Sequence, residues 1–184
     1  MATRYAALLS AVNVGKRKVP MAQLRELLTR LGYSAVQTYL ASGNAVFTTH
    51  DDEDEGAAAT RIEAALQQEF GFSVPCLVRD GEYLAAVIKA CPFPADDVAG
   101  KHLHATFYSV EVGDERYAEI DRAAFEPEEF RIGDRVMYLY LPGGIGRSAL
   151  ATALSRPASR LKGITATGRN WNTVKALAGM TAAE

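Results

Sequence analysis

Short apolar runs alternate with segments of helical spacing along most of the chain. Tyr5 to Leu9 reads as a buried strand, and NVGKRK interrupts it. Pro20 suits the first turn of a helix. On that helix Met21, Leu24, Leu27, Leu28 and Leu31 recur at helical spacing, and Gly32 ends it. AVQTYLASGNAVFTT reads as two strands around a turn at Ser42-Gly43-Asn44. HDDEDEG is an acidic loop before a helix with Ala59, Ile62, Leu66 and Phe70 on one side, and carboxylates there suit the helix dipole. FSVPCLVR is a fourth strand. The order is strand, helix, strand, strand, helix, strand: the ferredoxin-like βαββαβ arrangement.

After a helix over roughly Tyr83 to Ala90 and the loop CPFPADDVAGKH, the pattern repeats. LHATFYSV is a strand, 115–124 is helical with Tyr117, Ile120 and Ala124 inward, and EFRIGDRVMYLYL is two strands around Gly133-Asp134. A short helix follows with Leu150 and Leu154 inward, then a strand at GITATG and a closing helix at RNWNTV. The expected fold is α+β: duplicated ferredoxin-like βαββαβ units with extra helices and antiparallel sheets. The first unit occupies 1–80, a linking helix and loop 81–101, and the second unit with the C-terminal helix 102–184. The repetition is one of pattern, without evident residue identity between the halves.

Composition adds little until charge is mapped. Apolar residues make up 48% of the 184 and charged residues 23%, enough for a packed core. No apolar run approaches the roughly 18 residues that span a bilayer, and the N-terminus does not read as a signal peptide, so the expectation is a soluble cytoplasmic protein. Cys76 and Cys91 are expected as buried free thiols, since their spacing matches no metal or redox motif. The net charge is only −2, yet residues 1–50 carry six Lys/Arg against one acid and residues 135–183 carry seven against none. Brought together, two basic ends around an acidic middle would make a dipolar surface.

NVGKRKVPMAQLRELLTRLGY, TYLASGNAVF and RNWNTVKAL, in that order, resemble a bacterial family known as domain of unknown function 1697. The resemblance implies small bacterial proteins of duplicated ferredoxin-like build with no assigned activity, so it speaks to fold rather than reaction. The chain departs from it where relatives resemble LLRGINVGG. Here LLSAVNVGK places Ser10 for the arginine and Ala11 and Lys16 for glycines.

In a βαββαβ unit the loop after the first strand and the turn between the second and third lie at one end of the sheet. Asn13, Gly15, Lys16, Lys18, Ser42, Gly43 and Asn44 are therefore expected in one patch beside the start of the Pro20 helix. Free amides and the positive dipole end there suit phosphate or carboxylate, and Gly15 lets backbone approach a ligand. The plain alternative is a turn, a loop cap and surface lysines. Arg169, Asn170, Trp171 and Asn172 pose the same choice: a capped helix with a packed indole, or stacking and hydrogen-bonding groups for a base or sugar.

Other motifs give less. GGIGRSA matches G-x-G-x-x-A at Gly144, Gly146 and Ala149, but no acid stands about 20 residues on to hold a ribose. A glycine-rich turn is favoured there over an anion site at Arg147 and Ser148. His102 and His104 alternate on one strand but lack a third metal ligand, and the acidic loop does not continue as an EF-hand. No catalytic triad or nucleophile elbow is evident. No cofactor or metal is expected, and whether the chain is an enzyme stays open.

Three functions compete. The favoured one is binding of a small phosphate- or carboxylate-bearing metabolite, without a membrane role. A nucleic-acid module shares the βαββαβ architecture, but the aromatic RNA-binding signature is absent. In a purely structural or interaction protein, the motifs would only hold the fold together.

Overall fold

The computed structural model describes residues 1–183 and contains two compact units, each of the expected architecture. Residues 1–85 and the segment from Ala176 form one, and 86–175 the other. In the first, β1 (Thr3–Leu9), α1 (Met21–Arg30), β2 (Ser34–Thr38), β3 (Asn44–Thr49), α2 (Glu55–Phe70) and β4 (Cys76–Asp80) follow in order. The sheet runs β2-β3-β1-β4 with all neighbours antiparallel. In the second, β5 (Leu103–Tyr108), β6 (Glu129–Gly133), β7 (Val136–Tyr140), α4 (Ala149–Leu154) and β8 (Ala166–Asn170) give the order β6-β7-β5-β8, also antiparallel. This is a duplicated ferredoxin-like α+β fold. Two further helices, α3 (Gly81–Lys89) and α5 (Trp171–Thr181), follow directly on β4 and β8.

Helices α1 and α2 form where the spacing predicts. Leu24, Leu27 and Leu28 of α1 are buried, and Gly32, with φ 93°, turns the chain away. In α2, Asp54 accepts the amide of Ala57 as N-cap, Ala58, Ile62 and Leu66 are buried, and left-handed Gly71 closes the helix. These side chains meet Tyr5, Ala7, Leu9, Phe47, Cys76 and Val78 in the first core. The second core gathers Tyr108, Phe130, Met137, Leu139, Leu150 and Leu154.

Each sheet is buried on its other face too. In the first unit that face carries Ala6, Leu8, Val46 and Leu77. Met180 accepts a 2.6 Å bond there from Arg4 Nε, and the Tyr83 ring lies 5.3 Å from the Arg79 guanidinium. In the second it carries Leu103, Ala105, Phe107 and Tyr138, with the Tyr138 hydroxyl on the Val87 carbonyl (2.7 Å) and its ring 6.2 Å from Trp171. Strands buried on both faces read as continuous apolar runs, as β1 does.

Two expectations need correction. Residues 115–124 form no α-helix; two 3-10 turns, Asp114–Tyr117 and Arg122–Phe125, replace it. Tyr117 is buried, but Ile120 is only partly covered and Ala124 is exposed, so the stripe is too thin to hold ten residues helical. The last strand starts at Ala166 rather than at Gly163 and takes in Arg169 and Asn170, so the closing helix starts at Trp171. Pairing with β5 continues to Asn170, opposite His104, and extends the strand.

Candidate functional site

The sequence-predicted residues fall in both units, so each group is described within its own. In the first unit the β1–α1 loop and the β2–β3 turn do meet. The Asn13 side chain donates to the carbonyls of Ala41 (2.5 Å) and Val19 (3.1 Å) and accepts the Val19 amide (2.9 Å). One amide group thus ties the two loops together and fixes the entry to α1. Asn13 itself has φ 56°, a conformation asparagine tolerates well. Within its loop, Asn13 N–H bonds to Arg17 O and Arg17 N–H to Val14 O, closing a tight turn whose left-handed position is Gly15 (φ 57°).

Gly43, at φ 93°, lies under this loop. A Cβ there would sit 2.6 Å from Val12 Cγ2 and 2.9 Å from Leu9 Cβ, so glycine is required twice over. Asn44 is fully buried; its amide nitrogen bonds the Tyr39 carbonyl (2.8 Å) and Ser42 Oγ (3.1 Å), closing the turn from inside. Gly15, Lys16, Lys18 and Ser42 are exposed. Arg17, indistinguishable from Lys16 and Lys18 in the chain alone, turns inward. It donates to the carbonyls of Ala11 and Ser73 and lies 5.0 Å from the Phe72 ring centre. Next along the chain, α1 starts at an extended Pro20 with no side-chain cap and no acid in its first turn.

In the second unit, Arg169, Asn170 and Trp171 are built into the frame. Arg169 is 8% exposed, and its Nη1 donates to Thr167 Oγ1 (2.7 Å) and Gly168 O (2.8 Å). Asn170 Oδ1 accepts the Thr173 amide at 3.0 Å, capping α5. Trp171 is 1% exposed, and its backbone amide bonds Gly100 O. Asn172 is exposed at the residue level, with its amide group packed against Gly100.

The remaining motifs resolve structurally. The start of α4 already holds a carboxylate, because Glu128 Oε1 accepts the Leu150 amide (3.3 Å) and Ser148 Oγ the Ala151 amide (2.9 Å). GGIGRSA is a glycine-rich turn onto that capped helix. His102 precedes β5, whereas His104 is buried with Nε2 on the Lys101 carbonyl (3.0 Å). Burial holds its pKa below the ordinary value; the Lys101 carbonyl opposes that, and the charge of His102 adds to it. Among the described residues no three His, Cys, Asp or Glu side chains gather as a metal site. Both cysteines are free; Cys76 is buried and Cys91 partly so. No described helix is long and apolar enough to cross a membrane. A cavity of about 620 Å³ in the second unit is lined by Arg122, Glu126, Glu128, Arg131 and neighbours, and by none of the sequence-predicted residues. Ser34 Oγ and His50 Nε2 lie 2.7 Å apart on the surface, a hydroxyl–imidazole pair to which, among the described residues, no carboxylate is bonded.

Residues 2–138 match the family described as Protein of unknown function (DUF1697). The chain belongs to that family. A solved structure of similar fold is the conserved bacterial protein SP0830 from Streptococcus pneumoniae: 25% identical, TM-score 0.74, covering 98% of this chain and 99% of that one. No curated protein matches the chain significantly. Ala11 has φ 55°, a left-handed conformation that a glycine would take without strain.

Proposed function

We propose that the loop end of the first unit binds a small anionic ligand, a phosphate- or carboxylate-bearing metabolite. The observation that carries the reading is the Asn13 clamp. It holds the β1–α1 loop, with exposed Lys16 and Lys18, against the β2–β3 turn, directly ahead of the uncapped start of α1. First-turn amides without a side-chain acceptor, in a helix with no acid in its first turn, favour an anion by about 0.3–1 kcal/mol. A charge-assisted hydrogen bond from each lysine adds about 1.5–3 kcal/mol. Such a sum spans dissociation constants from a few millimolar to roughly ten micromolar, before the entropy of association weakens them. The free cysteines accord with work in a reducing, cytoplasmic compartment.

The test is a thermal-shift titration with inorganic phosphate, sugar phosphates, nucleotides and small carboxylates, at low and moderate salt. The expected result is a saturable rise in melting temperature that disappears in the Lys16→Ala/Lys18→Ala double variant. No shift, or one indifferent to both lysines, overturns the reading. A shift from oligonucleotides alone, vanishing with salt, would assign the surface to nucleic acid instead.

A further inference from the structure

Leu40 is at odds with its surroundings in two ways. Its backbone is left-handed (φ 58°), a conformation glycine and asparagine take far more cheaply than leucine. Its side chain is 57% exposed and belongs to neither core. More than half of the leucine is left to solvent on a backbone that leucine adopts at a cost, and a residue that breaks local rules with so little burial in return points to function. Val14, which opens the tight turn, is also 57% exposed. The Asn13–Ala41 hydrogen bond ties the two loops together one residue along the chain from each of these aliphatic residues. Lys16 and Lys18 are exposed on the same loop as Val14.

We infer that this surface docks a short acidic segment of a partner protein bearing an apolar side chain, which Leu40 and Val14 receive while Lys16 and Lys18 face its carboxylates. The inference rests on the reading of this end as anion-binding, and adds that the anion carries apolar surface. A membrane fits less well. Lipid-directed basic clusters hold roughly 4–8 cations, whereas Arg17 is turned into the loop and leaves two ammonium groups here. A folded partner fits less well too, since a stable interface takes roughly 800 Å² and 20–30 residues a side.

Two peptides of equal charge separate the possibilities, Asp-Leu-Glu-Phe-Asp and Asp-Gly-Glu-Gly-Asp, measured beside inorganic phosphate and phosphatidylserine vesicles. The wild-type chain is expected to hold the apolar peptide at least about fivefold tighter than its glycine counterpart, a ratio well within what one buried aliphatic contact supplies. Leu40→Asn should bring that ratio to one, leave phosphate affinity unchanged, and raise the melting temperature by roughly 2–4 °C, since asparagine suits the backbone. Equal binding of the two peptides, a ratio surviving Leu40→Asn, or capture by vesicles in preference to peptide overturns the inference. If phosphate and both peptides bind alike, anion binding stands and the apolar component falls. If neither phosphate nor peptide binds, both fall.

Discussion

The two units share a frame and differ at one end of it. In the first, Arg79 of β4 stands opposite Ala6, and its Nη1 bonds the preceding carbonyl at 2.8 Å; in the second, Arg169 of β8 stands opposite Ala105 and does the same. The next residue, Asp80 or Asn170, accepts an amide three residues on and starts α3 or α5. Ser10 and Ser109 end their first strands with amides on Pro75 and Thr165. Gly43 and Arg135, both left-handed, precede β3 and β7. The repeat is therefore strand–crossover–strand–strand–helix–strand–helix, with α3 and α5 at matching places in it. In the crossover after the first strand the likeness ends. The first unit has the Asn13-clamped basic loop, a ten-residue helix and a five-residue turn from Tyr39 to Gly43. The second has Glu111, Asp114 and Glu115, two 3-10 turns, and a turn of Asp134 and Arg135 alone. Strands and strand–helix junctions carry the frame; the crossover is free to vary, and chemistry concentrates in such loops.

Trp171 offers the strongest way to break the frame. Trp171→Ala should cost about 3–5 kcal/mol in denaturant unfolding, while Lys16→Ala at the loop end stays within about 0.5 kcal/mol. Asn13→Ala comes next: stripping the clamp leaves two carbonyls and an amide to find other partners, a loss of about 1–3 kcal/mol. It should also abolish the phosphate-induced thermal shift, which a stability change alone would not. The repeat itself is sharpened by Asp80→Ala and Asn170→Ala, each expected to cost about 1 kcal/mol as lost helix caps; a clear inequality would show that the junctions are alike in shape only. Ala11→Gly should stabilise the chain by roughly 0.5–1 kcal/mol, the relief of a left-handed alanine less the entropy glycine brings.

The smallest effect concerns pH. His104 stands where the first unit has Tyr5, and burial holds its folded pKa below the ordinary 6.5. Below about pH 6.5 the unfolded chain therefore binds the proton more readily than the folded one. Stability should be level above that value and decline as pH falls toward the folded pKa. His104→Gln, which can keep a hydrogen bond to the Lys101 carbonyl, should flatten that decline in pH-dependent melts.

Elements with a full apolar stripe were legible from the chain alone. The run Tyr5 to Leu9, the leucines of α1 and the alternation around Ser42-Gly43-Asn44 each specify one local conformation and one buried side. The meeting of Asn13 with the β2–β3 turn was legible as well, because βαββαβ connectivity allows no other end of the sheet. The thin stripe over 115–124 was not, since one buried tyrosine does not decide between helix and turns. The Arg-Asx junctions were visible as RDG and RNW, but two shared positions among many carry no weight until register aligns them.

By itself the sequence determined which segments pair, which faces are apolar, and that the motifs of the first unit share one end, all consequences of local periodicity and chain connectivity. Only the tertiary structure decided which polar groups are already satisfied. Arg17 turns inward between two exposed lysines, Glu128 fills the start of α4, Arg169 bonds the Gly168 carbonyl, Asn170 caps α5 and Trp171 is buried. The partners of Arg17 and Glu128 lie 56 and 22 residues away, a separation that leaves no periodic trace in the chain.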